Sequence, residues 1–282
     1  MENANSRCEF ERLGRHFFRP YILKKGYSVN PTDSVIIFLG LLTTMFSKGE
    51  DEEMLIGIST STYSLEELIG PLNDVEKKYA PKELYVTGQL STPLPSPRVA
   101  VIGSRKASPR GLNAASDIAR TLARHRVIVV SGLAEGIDTS AHKAAIEEGG
   151  HTIAVLGTPL DRAYPRKNLQ LQEVIMRHHL IISQFPIGYP IQPKNFVLRN
   201  RTMALISDAS IIVEAGDASG SLHQGWEALR LGRPLFIWSS IMRDPSLNWP
   251  EKMAMYGAME LTDPEEVLDV LPSRERILEV VP

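Results

Sequence analysis

The stretch VAVIGSRKASPRG, residues 99–111, decides the fold class of this 282-residue chain. Its first four residues are apolar, as in a strand that is buried on both faces, and a helix is predicted soon after the turn. A dinucleotide-binding turn at this place would carry three glycines in the pattern G-x-G-x-x-G. Here Gly103 is the one glycine of the turn, and Ser104, Arg105 and Lys106 follow it. The stretch therefore predicts a strand–turn–helix unit whose polar side chains indicate an anionic ligand other than a dinucleotide.

Apolar strands and helices alternate from residue 98 to about residue 242. The predicted strands are RVAVIG, VIVVSG, TIAVLG, LIISQF, SIIVEAG and PLFIWSS, and the segments between them have the composition of helices. Continuous apolar strands that are connected by helices are typical of a parallel sheet covered on both faces. The sequence therefore predicts an α/β fold with a Rossmann-like, doubly wound, mostly parallel sheet.

Composition shifts divide the chain into four predicted segments: a small, mostly helical N-terminal domain at 1–90, a proline-rich linker at 91–97, a Rossmann-like domain at 98–271 and a tail at 272–282. In the first segment, the apolar run at 35–46 predicts a buried helix. Ser64 and Glu67 have the spacing of a capping box at the start of a short helix. Near the end of the third segment, a strand is followed by a helix that Thr262 or Asp263 is expected to cap.

The overall composition excludes several classes of protein. A formal net charge of −2 argues against a polycation that coats nucleic acid, although a local basic groove stays possible. Cys8 is the single cysteine of the sequence, so an internal disulfide and a cysteine-based zinc cluster are excluded. The sequence opens without the apolar core of a signal peptide, and its longest apolar run is too short to cross a bilayer. We therefore expect a soluble cytoplasmic protein that does not attach to membranes.

Small and basic residues gather after the carboxyl ends of the predicted strands, where open parallel sheets bind ligands. The segments are GSRK at 103–106, SGLAEGID at 131–138, GTPLDRAYPRKN at 157–168, FPIGYPIQPKNF at 185–196 and EAGDASGS at 214–221. The N–H groups of such turns, with the positive end of a helix dipole behind them, bind anions. The pattern predicts an anion-binding cleft. Ordinary turn geometry, which also needs glycine, is the alternative explanation.

Two cations and an amide, Arg199, Asn200 and Arg201, stand at the predicted start of another helix. Cations at a helix N-terminus oppose the helix dipole, and a bound polyanion would compensate for that placement. Ion pairing with carboxylates at the protein surface is the alternative.

Catalytic motifs are not evident in the sequence, which has no Walker motif and no G-x-S-x-G nucleophile elbow. His142 and His223 have no carboxylate or cysteine partner at metal-ligand spacing. Asp138 is expected to cap the following helix or to hold the glycine turn by hydrogen bonds. For Glu214 and Glu227, which flank the Ser-Gly-Ser loop, we favour structural roles over hydrolytic ones. The residues by themselves therefore predict an anion-binding cleft with no metal site and no evident nucleophile.

Six motifs occur in an order that resembles one known family. They are YAPKELYVTGQL, VAVIGSR, SGLAEGID followed by AH at 141–142, TIAVLGTPLDRAYPRKN, NFVLRNR and EAGDASGSL, and the likeness that they belong to covers roughly residues 79 to 271. Together they resemble the DNA-processing protein A family (DprA, also called Smf). The resemblance implies a protein that binds and protects single-stranded DNA and helps to load a RecA-type recombinase in natural transformation. It also implies a homodimer through the Rossmann domain that needs no cofactor and is not an enzyme.

The resemblance further implies which residues contact DNA. The implied DNA- and phosphate-binding set is Gly103, Ser104, Arg105, Lys106, Ser131, Gly132, Arg166, Lys194, Phe196, Arg199, Asn200, Arg201, Ser219, Gly220 and Ser221. The sequence departs from the family at His223 and Gln224, where the family usually has isoleucine and threonine. We also expect no winged-helix domain of the kind that the family often carries at its C-terminus.

Three functions are compatible with these residues. The first is the single-stranded DNA-binding mediator, which we favour because separated cations contact several phosphates of one strand. The second is a Rossmann-fold nucleotide-ligand sensor or nucleotide-processing enzyme that would use Glu214 and Glu227, although the sequence lacks the P-G-G-x-G-T pattern of such hydrolases. The third is an interaction scaffold in which the cleft has lost its ligand.

Overall fold

A nine-stranded sheet organises the part of the chain that the computed structural model describes, residues 59–272. The strands are β1 (Ser61–Tyr63), β2 (Leu84–Gly88), β3 (Arg98–Gly103), β4 (Ile128–Ser131), β5 (Thr152–Leu156), β6 (Leu180–Ser183), β7 (Ala209–Glu214), β8 (Leu235–Trp238) and β9 (Met259–Leu261). Their order across the sheet is β1-β2-β6-β5-β4-β3-β7-β8-β9. The strands from β3 to β9 pair in parallel, whereas β2 pairs antiparallel with both β1 and β6. The predicted Rossmann-like α/β fold with a mostly parallel sheet is confirmed.

Helices connect the strands and cover both faces of the sheet. They are α1 (Leu65–Ile69), α2 (Asp74–Tyr79), α3 (Pro109–Arg124), α4 (Ile137–Glu147), α5 (Leu169–His178), α6 (Pro193–Ile206), α7 (Ser221–Arg230), α8 (Ser239–Met242) and α9 (Trp249–Met255), with 3₁₀ turns at Arg166–Asn168 and Pro264–Val270. No helix among residues 59–272 is long and apolar enough to span a membrane.

The core lies on the two sides of β3, where successive side chains point to opposite faces. Val99 and Val101 pack in the cluster that contains α3 and α4, while Ala100 and Ile102 pack in the cluster that contains α6 and α9. All four side chains are buried, which explains the uninterrupted apolar sequence of this strand.

The sheet begins earlier in the sequence than the predicted domain boundary. β2 pairs with β6 through Val86 and Ile182, so residues 61–88 extend the same sheet. A boundary at residue 90 therefore does not separate this part of the chain from the Rossmann-like domain, contrary to the prediction.

The predicted capping box of α1 is present, with Glu67 N donating to Ser64 Oγ over 3.2 Å. Residues 1–58, with the apolar run at 35–46 and Cys8, and residues 273–282 lie outside the described part, so the predictions made for them stay predictions.

The predicted linker at 91–97 has no helix or strand, but it is packed against the domain. Leu94 is buried, and the guanidinium of Arg98 donates to the carbonyls of Leu94 (2.9 Å) and Pro95 (3.1 Å). Arg98 also donates to the Ile206 carbonyl at the end of α6 and forms an ion pair with Asp208 over 3.3 Å. One buried arginine therefore fixes the segment to the amino-terminal edge of the sheet.

The last described element differs slightly from the expected helix. Residues Pro264–Val270 form a 3₁₀ turn instead of an α-helix. Its predicted cap is present, since the Asp263 carboxylate accepts a hydrogen bond of 2.9 Å from Glu265 N.

Candidate functional site

An open cleft lies at the carboxyl ends of β3, β4 and β5, where the sequence predicts an anion site. It is lined by Arg105, Gly132, Ala134, Glu135, Tyr164, Pro165, Phe196 and Arg199. Arg105, Gly132, Phe196 and Arg199 belong to the set that the sequence predicts. The fold therefore brings together residues from four separate segments of the sequence.

The turn after β3 presents two cations to solvent. Ser104 N donates to the backbone carbonyl of Glu214 over 2.7 Å, and Ser104 Oγ accepts from Lys106 N over 3.1 Å. These bonds set the course of the backbone, while the side chains of Arg105 and Lys106 remain exposed. The Ser104 amide is used within the turn, but the bond from Lys106 occupies only a lone pair of the Ser104 hydroxyl, whose O–H can still donate to an anion beside the arginine and the lysine.

The two candidate carboxylates have structural partners. Glu214 accepts from Ser108 N over 2.8 Å and from Ser108 Oγ over 2.5 Å, which holds the start of α3 beside the end of β7. Glu227 pairs with Arg201 over 3.4 Å and with Arg230. Both contacts agree with the structural roles that we favour for these residues.

The turn after β4 is held from inside by Asp138. Its Oδ2 accepts from Gly132 N over 3.1 Å and from Ala134 N over 3.3 Å, whereas α4 begins at its N-cap Gly136 without a side-chain cap. Asp138 therefore holds the glycine turn, which is one of the two predicted alternatives. Burial raises the pKa of Asp138, and the charge of Arg199 opposes that rise.

Ser131 belongs to the predicted DNA-binding set, but its side chain lies in the interior of the sheet. Its side chain is fully buried, and its hydroxyl donates to the Val101 carbonyl over 2.7 Å. In this arrangement Ser131 joins β4 to β3 and does not present its hydroxyl to the cleft.

Arg199 lies beneath the cleft as a buried cation. The side chain projects from the middle of α6, and Nη1 donates to the carbonyls of Gly132 and of Val155, the latter over 2.8 Å. A Cβ at Gly132 would lie 1.8 Å from Nη1, so glycine is required for this close approach. Burial lowers the pKa of the Arg199 guanidinium, and Asp138 opposes that shift. The guanidinium thus joins the ends of β4 and β5 and places a positive charge under the cleft.

The side chains of the Arg-Asn-Arg segment diverge, and the segment is not at a helix start as predicted. α6 begins at Pro193, so the three residues occupy its middle and the argument from the helix dipole does not apply. Asn200 Nδ2 donates to the Gly220 carbonyl over 3.0 Å. Arg201 turns away from the cleft to Glu227, and its Cζ lies 5.2 Å from the centroid of the Tyr79 ring. Of the three, Arg199 lines the cleft.

An aromatic pair forms one side of the cleft. The ring of Phe196, in the first turn of α6, has its centroid 5.2 Å from that of Tyr164 and 5.5 Å from Cζ of Arg105. A Cβ at Gly157 would lie 2.6 Å from Cδ1 of Phe196, so this glycine allows the ring to pack against the end of β5. Tyr164 was not in the predicted set. Its aromatic character within the segment that follows β5 was the signal available in the sequence.

The other predicted residues do not line the cleft. Lys194 is exposed in the first turn of α6, and Arg166 is exposed in the 3₁₀ turn before α5. Ser219 and Ser221 contact each other through their hydroxyls over 2.7 Å, in the loop that Asn200 joins to α6.

The two histidines have no metal-ligand surroundings in the described region. His142 is buried, with Nδ1 2.6 Å from Thr152 Oγ1, and burial lowers its pKa to about 3. His223 is exposed on α7. Residues 59–272 contain no group of three or more His, Cys, Asp or Glu side chains that could hold a metal ion.

The sequence matches the profile of the DNA recombination-mediator protein A family over residues 60–272. It is 31% identical to the DNA processing protein DprA of Bacillus subtilis over 194 residues, and 38% identical to DprA of Streptococcus pneumoniae over 189 residues. It is also 38% identical to Protein Smf of Escherichia coli over 192 residues. These matches cover 69%, 67% and 68% of this chain, but 65%, 66% and 51% of the three relatives, so the chain spans two thirds of their length or less.

Two solved structures are similar to the fold. The X-ray structure of DprA from Streptococcus pneumoniae aligns with a TM-score of 0.65 and 31% identity, over 79% of this chain and 77% of that one. DNA processing protein A from Helicobacter pylori, whose structure concerns its single-stranded DNA binding mode, aligns with a TM-score of 0.62 and 27% identity, over 79% and 97% of the two chains. The order of motifs, the sheet and these likenesses agree, and the chain belongs to the DNA recombination-mediator protein A family.

Proposed function

We propose that this protein binds single-stranded DNA across the cleft and acts in DNA processing without catalysing a reaction. The observation that carries the proposal is the arrangement of charge at the sheet edge. The cleft is lined by the exposed Arg105 and by the buried Arg199, and the ring of Phe196 lies 5.5 Å from the guanidinium carbon of Arg105. Anionic backbone and aromatic bases are the two chemical parts of a single strand, and the cleft offers a partner for each.

Two further observations support a strand over a small nucleotide. Lys106, in the turn after β3, and Lys194, in the first turn of α6, are exposed and do not line the cleft, so they are available to phosphates of a ligand longer than a nucleotide. The related protein from Helicobacter pylori is described as binding single-stranded DNA. A net charge of −2 for the whole chain makes such local cations the main source of attraction.

The wider role follows from the family. We propose that the protein protects incoming single strands in the cytoplasm, loads a RecA-type recombinase on them and works as a homodimer through its Rossmann domain. These partners rest on family membership and on the names of the relatives.

Binding assays with single-stranded and double-stranded DNA test the proposal. We expect the wild-type protein to bind a single strand of about 30 nucleotides more tightly than the matching duplex at low salt, where electrostatic binding is strongest. The variant Arg105→Ala/Lys194→Ala should lose most of this affinity. Lys77→Ala/Lys143→Ala removes the same charge from exposed lysines on α2 and α4 and serves as the matched control.

Two results would count against the proposal. One is failure of the wild-type protein to bind a single strand at low salt. The other is saturable thermal stabilisation by a mononucleotide that DNA does not reproduce, which would favour a nucleotide-ligand sensor.

A further inference from the structure

The loop after β6 and the first turns of α6 carry an exposed apolar surface that does not line the cleft. Its members are large apolar side chains that are between 37% and 60% exposed, namely Ile187, Tyr189, Ile191, Val197 and Leu198. These five residues form what we call the apolar patch. Single exposed apolar residues are common on protein surfaces, whereas a cluster of them marks a site of interaction.

Two hydrogen bonds hold the loop along α6. Near the start of the loop, the side-chain oxygen of Gln184 accepts from Thr202 Oγ1 over 2.6 Å. Near its end, the Pro190 carbonyl accepts from Asn195 Nδ2 over 2.9 Å. The two patch residues of α6 lie between these points of attachment, so the loop and the helix form one surface. The patch is therefore formed before a partner arrives, which lowers the entropic cost of binding.

The charges around the patch indicate an acidic partner. Residues 174–207 contain no Asp or Glu, although the whole chain has 33 of them. Lys194 is exposed, and it shares a face of α6 with Val197 and Leu198, which follow it by three and four positions. A partner that brings apolar side chains to the patch and carboxylates to this lysine would be complementary to both.

Two other occupants fit the patch less well. All patch residues except Tyr189 are aliphatic, so they have no ring on which a base of a DNA strand could stack. A second copy of this chain, placed on the same patch about a two-fold axis, would bring together two surfaces that carry lysine and no acid. A protein segment of opposite charge has neither disadvantage.

We propose that the apolar patch docks an acidic amphipathic helix of a partner protein. The apolar face of that helix would lie on the patch, and its carboxylates would lie near Lys194. Binding of an amphipathic helix through its apolar face is a common mode of peptide recognition. The site differs from the cleft, so this inference goes beyond the proposed function and does not depend on it.

Fluorescence anisotropy with the full chain tests the proposal. DNA is left out, because Lys194 is also proposed to contact the strand. The probe is a labelled peptide of about 18 residues whose leucines occupy one helical face and whose other positions are glutamate and alanine. The same peptide with lysine in place of glutamate is the charge control. We expect saturable binding of the acidic peptide and at least about tenfold weaker binding of the basic one.

Substitutions within the patch assign the binding to it. Ile187→Ser/Leu198→Ser should weaken binding of the acidic peptide by at least about tenfold, because two apolar contacts are lost. Val174→Ser/Val270→Ser replaces exposed valines on α5 and at the end of the last 3₁₀ turn, and this matched control should bind like the wild type. Circular dichroism spectra report whether each variant is folded, and sedimentation velocity reports its oligomeric state.

The outcomes separate the possible occupants. Absence of peptide binding by the wild-type protein, or undiminished binding by Ile187→Ser/Leu198→Ser, would overturn the proposal. A changed oligomeric state of that variant would overturn it in favour of a second copy, and a loss of single-stranded DNA binding would overturn it in favour of the strand. Lost peptide binding with retained DNA binding would support it. Failure of the wild-type protein to bind DNA would bear on the proposed function alone.

Discussion

At the scale of single residues, Arg199 and Arg105 show how two arginines of one cleft differ in role. Arg105 is exposed and contacts the face of Phe196, so its charge is available to a ligand. Arg199 is 5% exposed, and its Nη1 donates hydrogen bonds to backbone carbonyls at the ends of β4 and β5. A ligand can therefore contact Arg105 directly, whereas Arg199 acts chiefly by holding the two strand ends that form the cleft.

We expect Arg199→Leu to lower the free energy of unfolding by roughly 3–5 kcal/mol, because it leaves the buried Asp138 without its compensating charge and the two carbonyls without a donor. Arg105→Ala should change stability by less than about 0.5 kcal/mol, since it removes an exposed side chain. Urea unfolding followed by circular dichroism measures both values. An Arg199→Leu variant that unfolds like the wild type and only loses DNA binding would contradict the structural role.

At the scale of elements, the segment 91–97 shows that an irregular stretch can be an integral part of a domain. Its proline content predicts the absence of helix and strand, and that is what the structure has. The sequence did not indicate that Leu94 would be buried or that Arg98 would hold the carbonyls beside it. These contacts involve Ile206 and Asp208, more than 100 residues later.

Arg98→Leu should therefore release this segment as well as destabilise the domain. We expect a loss of roughly 3–5 kcal/mol, because the three backbone carbonyls that Arg98 holds lose their donor and Asp208 keeps only Arg233, 3.9 Å away, as an ion-pair partner. Relative to the wild type, the variant should show a larger increase in hydrogen exchange at residues 91–97 than in β4 or β5. Mass spectrometry measures this increase. Arg124→Ala, which removes an exposed ion pair with Glu148, is the control and should cost less than about 1 kcal/mol. Unchanged exchange at 91–97 in the Arg98 variant would show that other contacts hold the segment.

At the scale of the whole molecule, the charge distribution matters more than the total charge. The chain carries 31 Lys and Arg against 33 Asp and Glu, so long-range attraction to DNA is weak. The attraction has to come from cations that the fold gathers at one edge of the sheet, among them Arg105, Lys106 and Lys194.

Salt titration should report this small set of phosphate contacts. If three cations each neutralise one phosphate, a plot of log affinity for single-stranded DNA against log salt concentration has a slope of about −2. Arg105→Ala/Lys194→Ala should reduce the magnitude of the slope by about 1.4. Fluorescence anisotropy between roughly 50 and 200 mM salt measures the slopes. A wild-type slope near zero would show that phosphate contacts do not carry the binding.

Sequence patterns were enough to predict the alternation of strands and helices, the sheet edge at which polar side chains gather and the caps of short helices. These features depend on periodicity and on residues close together in the chain, so a local pattern is sufficient to predict them. Four other features became visible in the folded chain: β2 pairs with β6, Ser131 is buried, Arg199 lies beneath the cleft and Tyr164 lies against Phe196. Each of these depends on which segments pack together and on the direction in which a side chain leaves its helix or strand, and neither is encoded in a local pattern.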